Sequence, residues 1–259
     1  MAFANDARRV AVTDVALWQY LTVATVSFAA ATLGGVTGYG TGLLLPPVLL
    51  PIVGPEAVVP IVGVAALMTN GSRLAAFRQD FDMRTAFMIV ACALPTCVAG
   101  AYGYTLLSGA GVTLLIGAVL LVLVPARRLL MRRHGRLEAR GVAAAGFSYG
   151  LLTGGTTGAG VVLISILLGA GLNGSAVIAT DAGISMVLGL VKSLVFGSAG
   201  LLPPSSLLMA LLIGACATPG AFVAKRLTAR LPGRHHVAIL DGVVLVGATL
   251  LLAEGFRRS

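Results

Sequence analysis

The chain has 259 residues, of which 58% are hydrophobic and only 10% charged, against roughly a quarter charged in soluble domains. That balance excludes an ordinary soluble domain and places the chain among membrane proteins. The net charge of +9 does not read as a nucleic-acid footprint, because the cations lie between and at the ends of apolar segments, like cytoplasmic loops and headgroup anchors.

Residues 1–31 carry Arg8 and Arg9 before an apolar run and Ala29-Ala30-Ala31 after it, an arrangement shared with cleaved leaders. The hydrophobicity continues straight into a glycine motif, so an uncleaved first helix is expected, about Val15 to Val36. Segment two is short, about Tyr39 to Val53, and holds Pro46, Pro47 and Pro51. Segment three, about Pro55 to Phe77, opens with Pro55 and Glu56. Proline fits a first turn because its missing N–H is orphaned there anyway, and an acid suits the positive helix end. Segments four and five follow at about Thr85 to Leu107 and Gly109 to Ala126. A basic stretch, 127–140, then carries Arg127, Arg128, Arg132, Arg133, Arg136 and Arg140. Five further segments are predicted at about Gly141 to Gly155, Thr157 to Gly171, Ser175 to Phe196, Ser205 to Leu227 and His235 to Ala253. Cys92, Cys97 and Cys216 lie in apolar runs, as small packing residues do. No Cys/His metal spacing occurs, and no cofactor is expected.

The second five segments repeat the first five. Gly34-Gly-Val-Thr-Gly-Tyr-Gly-Thr-Gly-Leu-Leu-Leu45 returns as Thr153-Gly-Gly-Thr-Thr-Gly-Ala-Gly-Val-Val-Leu163. Gly40, Gly42, Leu45, Leu49 and Leu50 match Gly158, Gly160, Leu163, Leu167 and Leu168 at one offset. Ala57, Val58, Arg73 and Phe77 match Ala176, Val177, Lys192 and Phe196, and Cys92 and Pro95 match Cys216 and Pro219. Loop charges suggest the relation between the halves. Arg78 and Arg84 follow segment three, whereas the equivalent 197–202 is uncharged; 108–111 is uncharged, whereas its equivalent holds Lys225, Arg226, Arg230 and Arg234. Lys and Arg in short loops favour the cytoplasm, so equivalent loops want opposite sides and the halves are expected to be inverted copies. With five crossings each, both termini lie outside, against the preference of Arg8, Arg9, Arg257 and Arg258. A short segment of about 15 residues rises only about 22 Å, so it either crosses where protein covers it or re-enters. The expected architecture is an all-α polytopic membrane protein of eight to ten membrane segments. It comprises a first repeat (1–126), a basic cytoplasmic linker (127–140) and a second repeat (141–259).

The glycine-broken first helix, the Pro-rich short segment, the Pro-Glu-Ala start at 55–57 and the second copy with Asn173-Gly-Ser-Ala176 resemble the sulfite exporter TauE/SafE family, the TSUP permeases. The resemblance covers about residues 17–253. It implies a multi-pass carrier of the bacterial inner membrane, acting on small anions, chiefly sulfite, sulfonates and sulfoacetate-like compounds.

The residues themselves suggest how an anion is held. Backbone freed of hydrogen bonds inside lipid must be buried in protein or line a cavity, and matched breaks in two halves point to a transporter's binding site. Glycine lets a helix unwind and a ligand approach closely. Where a helix restarts, bare N–H groups and a positive dipole end favour an anion. The expected site is Gly40, Thr41 and Gly42 with Thr156, Thr157 and Gly158, assisted by the Thr37 hydroxyl. Arg73, flanked by Asn70, and Lys192 are candidate anion ligands or gate residues, because ionisable groups in membrane segments mark function. Against this, small residues also serve tight packing, and both cations sit near segment ends, where they snorkel. Asp181 is the candidate proton carrier; a bridge to Lys192 is disfavoured by about 16 Å of helix between them.

Three functions follow from this. The first is a secondary anion transporter with proton-coupled alternating access, probed by sulfite and organosulfonates. The second is an anion channel, or an uptake permease for another small carboxylate or inorganic anion. The third, an intramembrane enzyme, is disfavoured: His134, His235 and His236 lie in loops or at a segment edge, and none is placed to activate a buried serine.

Overall fold

The computed structural model of the chain describes residues 15–37, 40–132, 137–228 and 249, without the side chains of 33–37, 40, 124–132, 221 and 224–228. The predicted tenth segment, apart from Thr249, and the loop 229–234 lie outside the described residues. The helices are α1 (Leu17–Thr37), α2 (Gly40–Val53), α3 (Pro55–Phe77), α4 (Met83–Thr105), α5 (Gly109–Arg132), α6 (Ala139–Gly155), α7 (Gly160–Gly169), α8 (Ser175–Ser198) and α9 (Pro204–Thr228), with a 3-10 turn over Arg78–Asp80. No strand occurs among the described residues.

Most boundaries follow the sequence signals. α3 begins at Pro55 behind Gly54, whose φ of 79° glycine adopts without strain. Asp82 caps α4 by accepting the Thr85 N–H at 2.7 Å, satisfying a donor the first turn leaves orphaned. Two expectations need correction. α5 runs past Ala126 to Arg132, so the basic linker begins as helix; arginine is a good helix former and suits the negative helix end. α7 starts at Gly160, not Thr157, because Thr156 is extended and Gly158 has φ +81°.

This is an all-α membrane protein. Among the described residues, Pro55–Asp80, Met83–Thr105 and Ser175–Ser198 are long and apolar enough to cross a membrane. Their outer faces present Phe87, Leu190 and Leu194, and the ends of the bundle present Trp18 and Tyr102, amphipathic rings suited to the headgroup layer.

The packing has two-fold symmetry. α4 packs on α6 as α1 packs on α9, α3 on α9 as α8 on α4, and α3 on its own counterpart α8. Each pairing becomes another, or itself, when the halves are exchanged. Between α3 and α8, Gly63 lies beside Lys192, Leu67 beside Gly189 and Gly71 beside Met186, and Arg73 pairs with Asp181. Numbers rise on one helix as they fall on the other, so these equivalent helices are antiparallel and the halves are inverted. α4 and α6 run in the same direction, since Ile89, Ala93 and Cys97 meet Gly146, Gly150 and Gly154 in turn. α8 shares that direction, with Phe81 beside Gly183 and Cys97 Sγ 3.7 Å from Leu188 O. α7 therefore returns the chain between two helices that point the same way. At 10 residues it rises about 15 Å, half a hydrocarbon layer of about 30 Å.

Two apolar clusters form the core, one around α2 and α3 and one around α6, α7 and α8. The repeat pairs Leu45/Leu163 and Leu49/Leu167 are fully buried in both copies. Tyr104 joins α4 to α3, its hydroxyl donating to the carbonyls of Pro55 at 3.1 Å and Glu56 at 3.2 Å, while its ring lies 5.4 Å from that of Phe196. Tyr104→Phe should cost about 1 kcal/mol, read as a fall of about 2–4 °C in the unfolding temperature of the detergent-purified protein.

Candidate functional site

The two glycine motifs meet. A Cβ on Gly42 would lie 2.9 Å from Gly158 N and 3.1 Å from Gly158 Cα, so α2 and the gap before α7 touch backbone to backbone, an approach only glycine permits. The broken stretch is enclosed by protein: Thr156, Thr157 and Ala159 are all buried, as unpaired backbone within a membrane must be. The first amides of α7 have no partner within their own helix, as at any helix start.

A cavity of about 130 Å³ opens at this junction. Of the residues expected from the sequence, Thr41, Gly42, Asn70, Arg73, Thr156, Thr157, Gly158, Asp181 and Lys192 all line it. The environment of Gly40, the first residue of α2, and the side chain of Thr37, the last residue of α1, lie outside the described residues. Ser185 lines the cavity too; Thr69, Tyr149 and Thr153 also line it, and sequence reasoning missed these three. Only a hydroxyl facing inward sets them apart from neighbours, and period alone does not reveal it in helices that are apolar on every side.

The ionic groups are arranged across the repeats. Arg73 on α3 pairs with Asp181 on α8 at 3.0 Å, and its other guanidinium nitrogen donates to Asn70 Oδ1 at 3.2 Å. Asp181 is 2% exposed, so it is embedded and paired, and its cation comes from the opposite half. Lys192, 7% exposed, does not reach lipid headgroups. Its ammonium donates to the carbonyls of Thr153 at 3.2 Å and Thr156 at 3.4 Å. Thr153 lies in the last turn of α6 and Thr156 just past its end, where carbonyls lack helical partners and the dipole is negative. Lys192 thus holds the broken end of α6, a role the sequence did not suggest. Gly63 gives it room: a Cβ there would sit 3.1 Å from Lys192 Cε. Two polar atoms of the lining, Thr157 Oγ1 and Asp181 Oδ1, are buried with no hydrogen-bond partner among the described residues.

The two-fold relation is broken in the cavity. Arg73 and Lys192 are counterparts, yet at the offset joining them Asp181 corresponds to Val62, and at the offset joining Gly40 to Gly158 Tyr149 corresponds to Ala31. Two cations and one carboxylate leave a single excess positive charge. No group of three or more His, Cys, Asp or Glu suited to a metal ion occurs among the described residues.

No curated protein and no solved structure matches the chain. The model of the sulfite exporter TauE/SafE family matches residues 23–251, spanning both glycine breaks and both halves of the cavity, and the chain belongs to that family, a family of membrane transporters.

Proposed function

We propose that the chain is a secondary transporter of small anions in the bacterial inner membrane, carrying sulfite or organosulfonates such as sulfoacetate outward by proton-coupled alternating access. The observation that carries this reading is the cavity where the two glycine motifs meet, small, lined by buried polar groups and cationic by one charge. Its volume is well below the roughly 300 Å³ at which pockets for larger ligands begin. Helix starts, threonine hydroxyls and two cations give an oxyanion many donors at little desolvation cost.

The Arg73–Asp181 pair supports coupling. It ties α3 to α8, the helices at the symmetry axis, so a proton on Asp181 or an anion on Arg73 loosens the contact between the repeats. Alternating access needs such a two-state contact.

Reconstituted in proteoliposomes, the protein should exchange labelled sulfite by saturable counterflow and accumulate it against its gradient when a proton gradient is imposed. Asp181→Asn should abolish the accumulation. Flux that never saturates and never runs uphill would assign the cavity to a passive channel instead. Counterflow of simple carboxylates with none of sulfite would assign it to a permease for that class.

A further inference from the structure

The cavity is lined by two buried polar atoms that lack a partner and differ in kind. Thr157, 4% exposed, has a hydroxyl that donates, and Asp181, 2% exposed, has a carboxylate oxygen that only accepts. Native interiors rarely leave such groups unmet. An anion made only of acceptors satisfies the Thr157 hydroxyl but sets negative oxygen against Asp181 Oδ1. A solute with its own O–H or N–H satisfies both. Charge narrows the choice further. Arg73, Lys192 and Asp181 leave one excess positive charge around the cavity, which a monoanion neutralises and a dianion overshoots, leaving buried charge uncompensated. Lys192 gives two of its three N–H donors to the Thr153 and Thr156 carbonyls, so one remains for a solute.

We propose that this cavity selects a small monoanion that itself carries a hydrogen-bond donor, its anionic oxygens on Lys192 and Thr157 and its donor on Asp181. Hydrogen sulfite, bicarbonate and hydroxysulfonates have this chemistry; sulfate, nitrate and alkyl sulfonates do not. The proposal rests on the anion-transport reading and narrows its substrate class, excluding sulfoacetate, a dianion without a donor.

The test is calorimetric titration of the purified full-length protein with three probes: hydroxymethanesulfonate, ethanesulfonate and sulfate. The first two share charge and size and differ by a hydroxyl in place of a methyl. Hydroxymethanesulfonate should bind at least tenfold tighter than ethanesulfonate, with sulfate weaker than hydroxymethanesulfonate. Asp181→Asn should reverse the order of hydroxymethanesulfonate and sulfate and narrow the gap between the two sulfonates, since a hydroxyl accepts as well as donates. Because Arg73 only donates, the new amide turns its oxygen toward Arg73 and its NH₂ toward the site, replacing an acceptor by a donor, and the cavity gains a charge that favours sulfate. Equal binding of the two sulfonates, or tightest binding of sulfate, by the unsubstituted protein overturns the proposal while leaving an anion site in place. Binding of none of the three removes the anion site itself, and the proposal with it. The comparison on the unsubstituted protein decides the matter even where Asp181→Asn does not fold.

Discussion

Gly154→Ala is expected to unfold the α4–α6 pair. These helices touch along a row of small residues, and a Cβ on Gly154 would overlap the Cys97 carbonyl oxygen and lie 2.9 Å from Ala101 N. Both are backbone atoms of a helix, so no rotamer change relieves the clash, and the helices must separate. A cost on the order of 3 kcal/mol follows, at the upper end for overpacking because nothing flexible gives way. Gly150→Ala should behave alike, meeting the Ala93 carbonyl and Thr96 Oγ1. The control lies on the partner helix α4: Gly103 has nothing within 4 Å of its would-be Cβ, so Gly103→Ala should be neutral or stabilise by up to about 1 kcal/mol of helix propensity. Thermal unfolding in detergent, with the monodisperse fraction on size exclusion, reads all three. Similar behaviour of Gly154→Ala and Gly103→Ala would show that α4 and α6 do not pack as described.

The second large effect is at the ion pair. Arg73→Ala leaves Asp181 buried without its counterion, which costs roughly 3–5 kcal/mol, and removes one of the two cations lining the cavity. The double replacement Arg73→Ala with Asp181→Ala should recover much of that stability, since it removes both charges, yet should not recover transport. Unfolding temperatures and sulfite counterflow separate the two readouts. A double variant no more stable than Arg73→Ala would show that the two groups do not interact in the folded protein.

These sites differ in how far they could be read from the chain. Proline at Pro55 and the glycines at 54 and 158 act through local backbone geometry, and local geometry is written in local sequence. The repeat was legible because Gly, Pro and basic matches are improbable in an apolar chain. Inversion was legible because loop cations sort by side of the membrane. The extent of α5 was misjudged because arginine marks both a loop and a helix end.

Side-chain pairing was another matter. Arg73, Lys192 and Asp181 stood out as charges in apolar helices, and expense alone marks them as purposeful. Their partners did not follow, because pairing depends on which helices touch and at what height. Arg73 meets Asp181 only because α3 and α8 are antiparallel across the axis. Lys192 turns to the α6 carbonyls only because the chain breaks there and leaves them unpaired. The sequence by itself determined a twofold, glycine-broken helical membrane protein, since composition, periodic breaks and loop charge are properties of single segments. The tertiary structure alone decided that the two glycine motifs touch and that the one carboxylate pairs with one of two cations, because a cavity's charge belongs to residues far apart in the chain that only packing brings together.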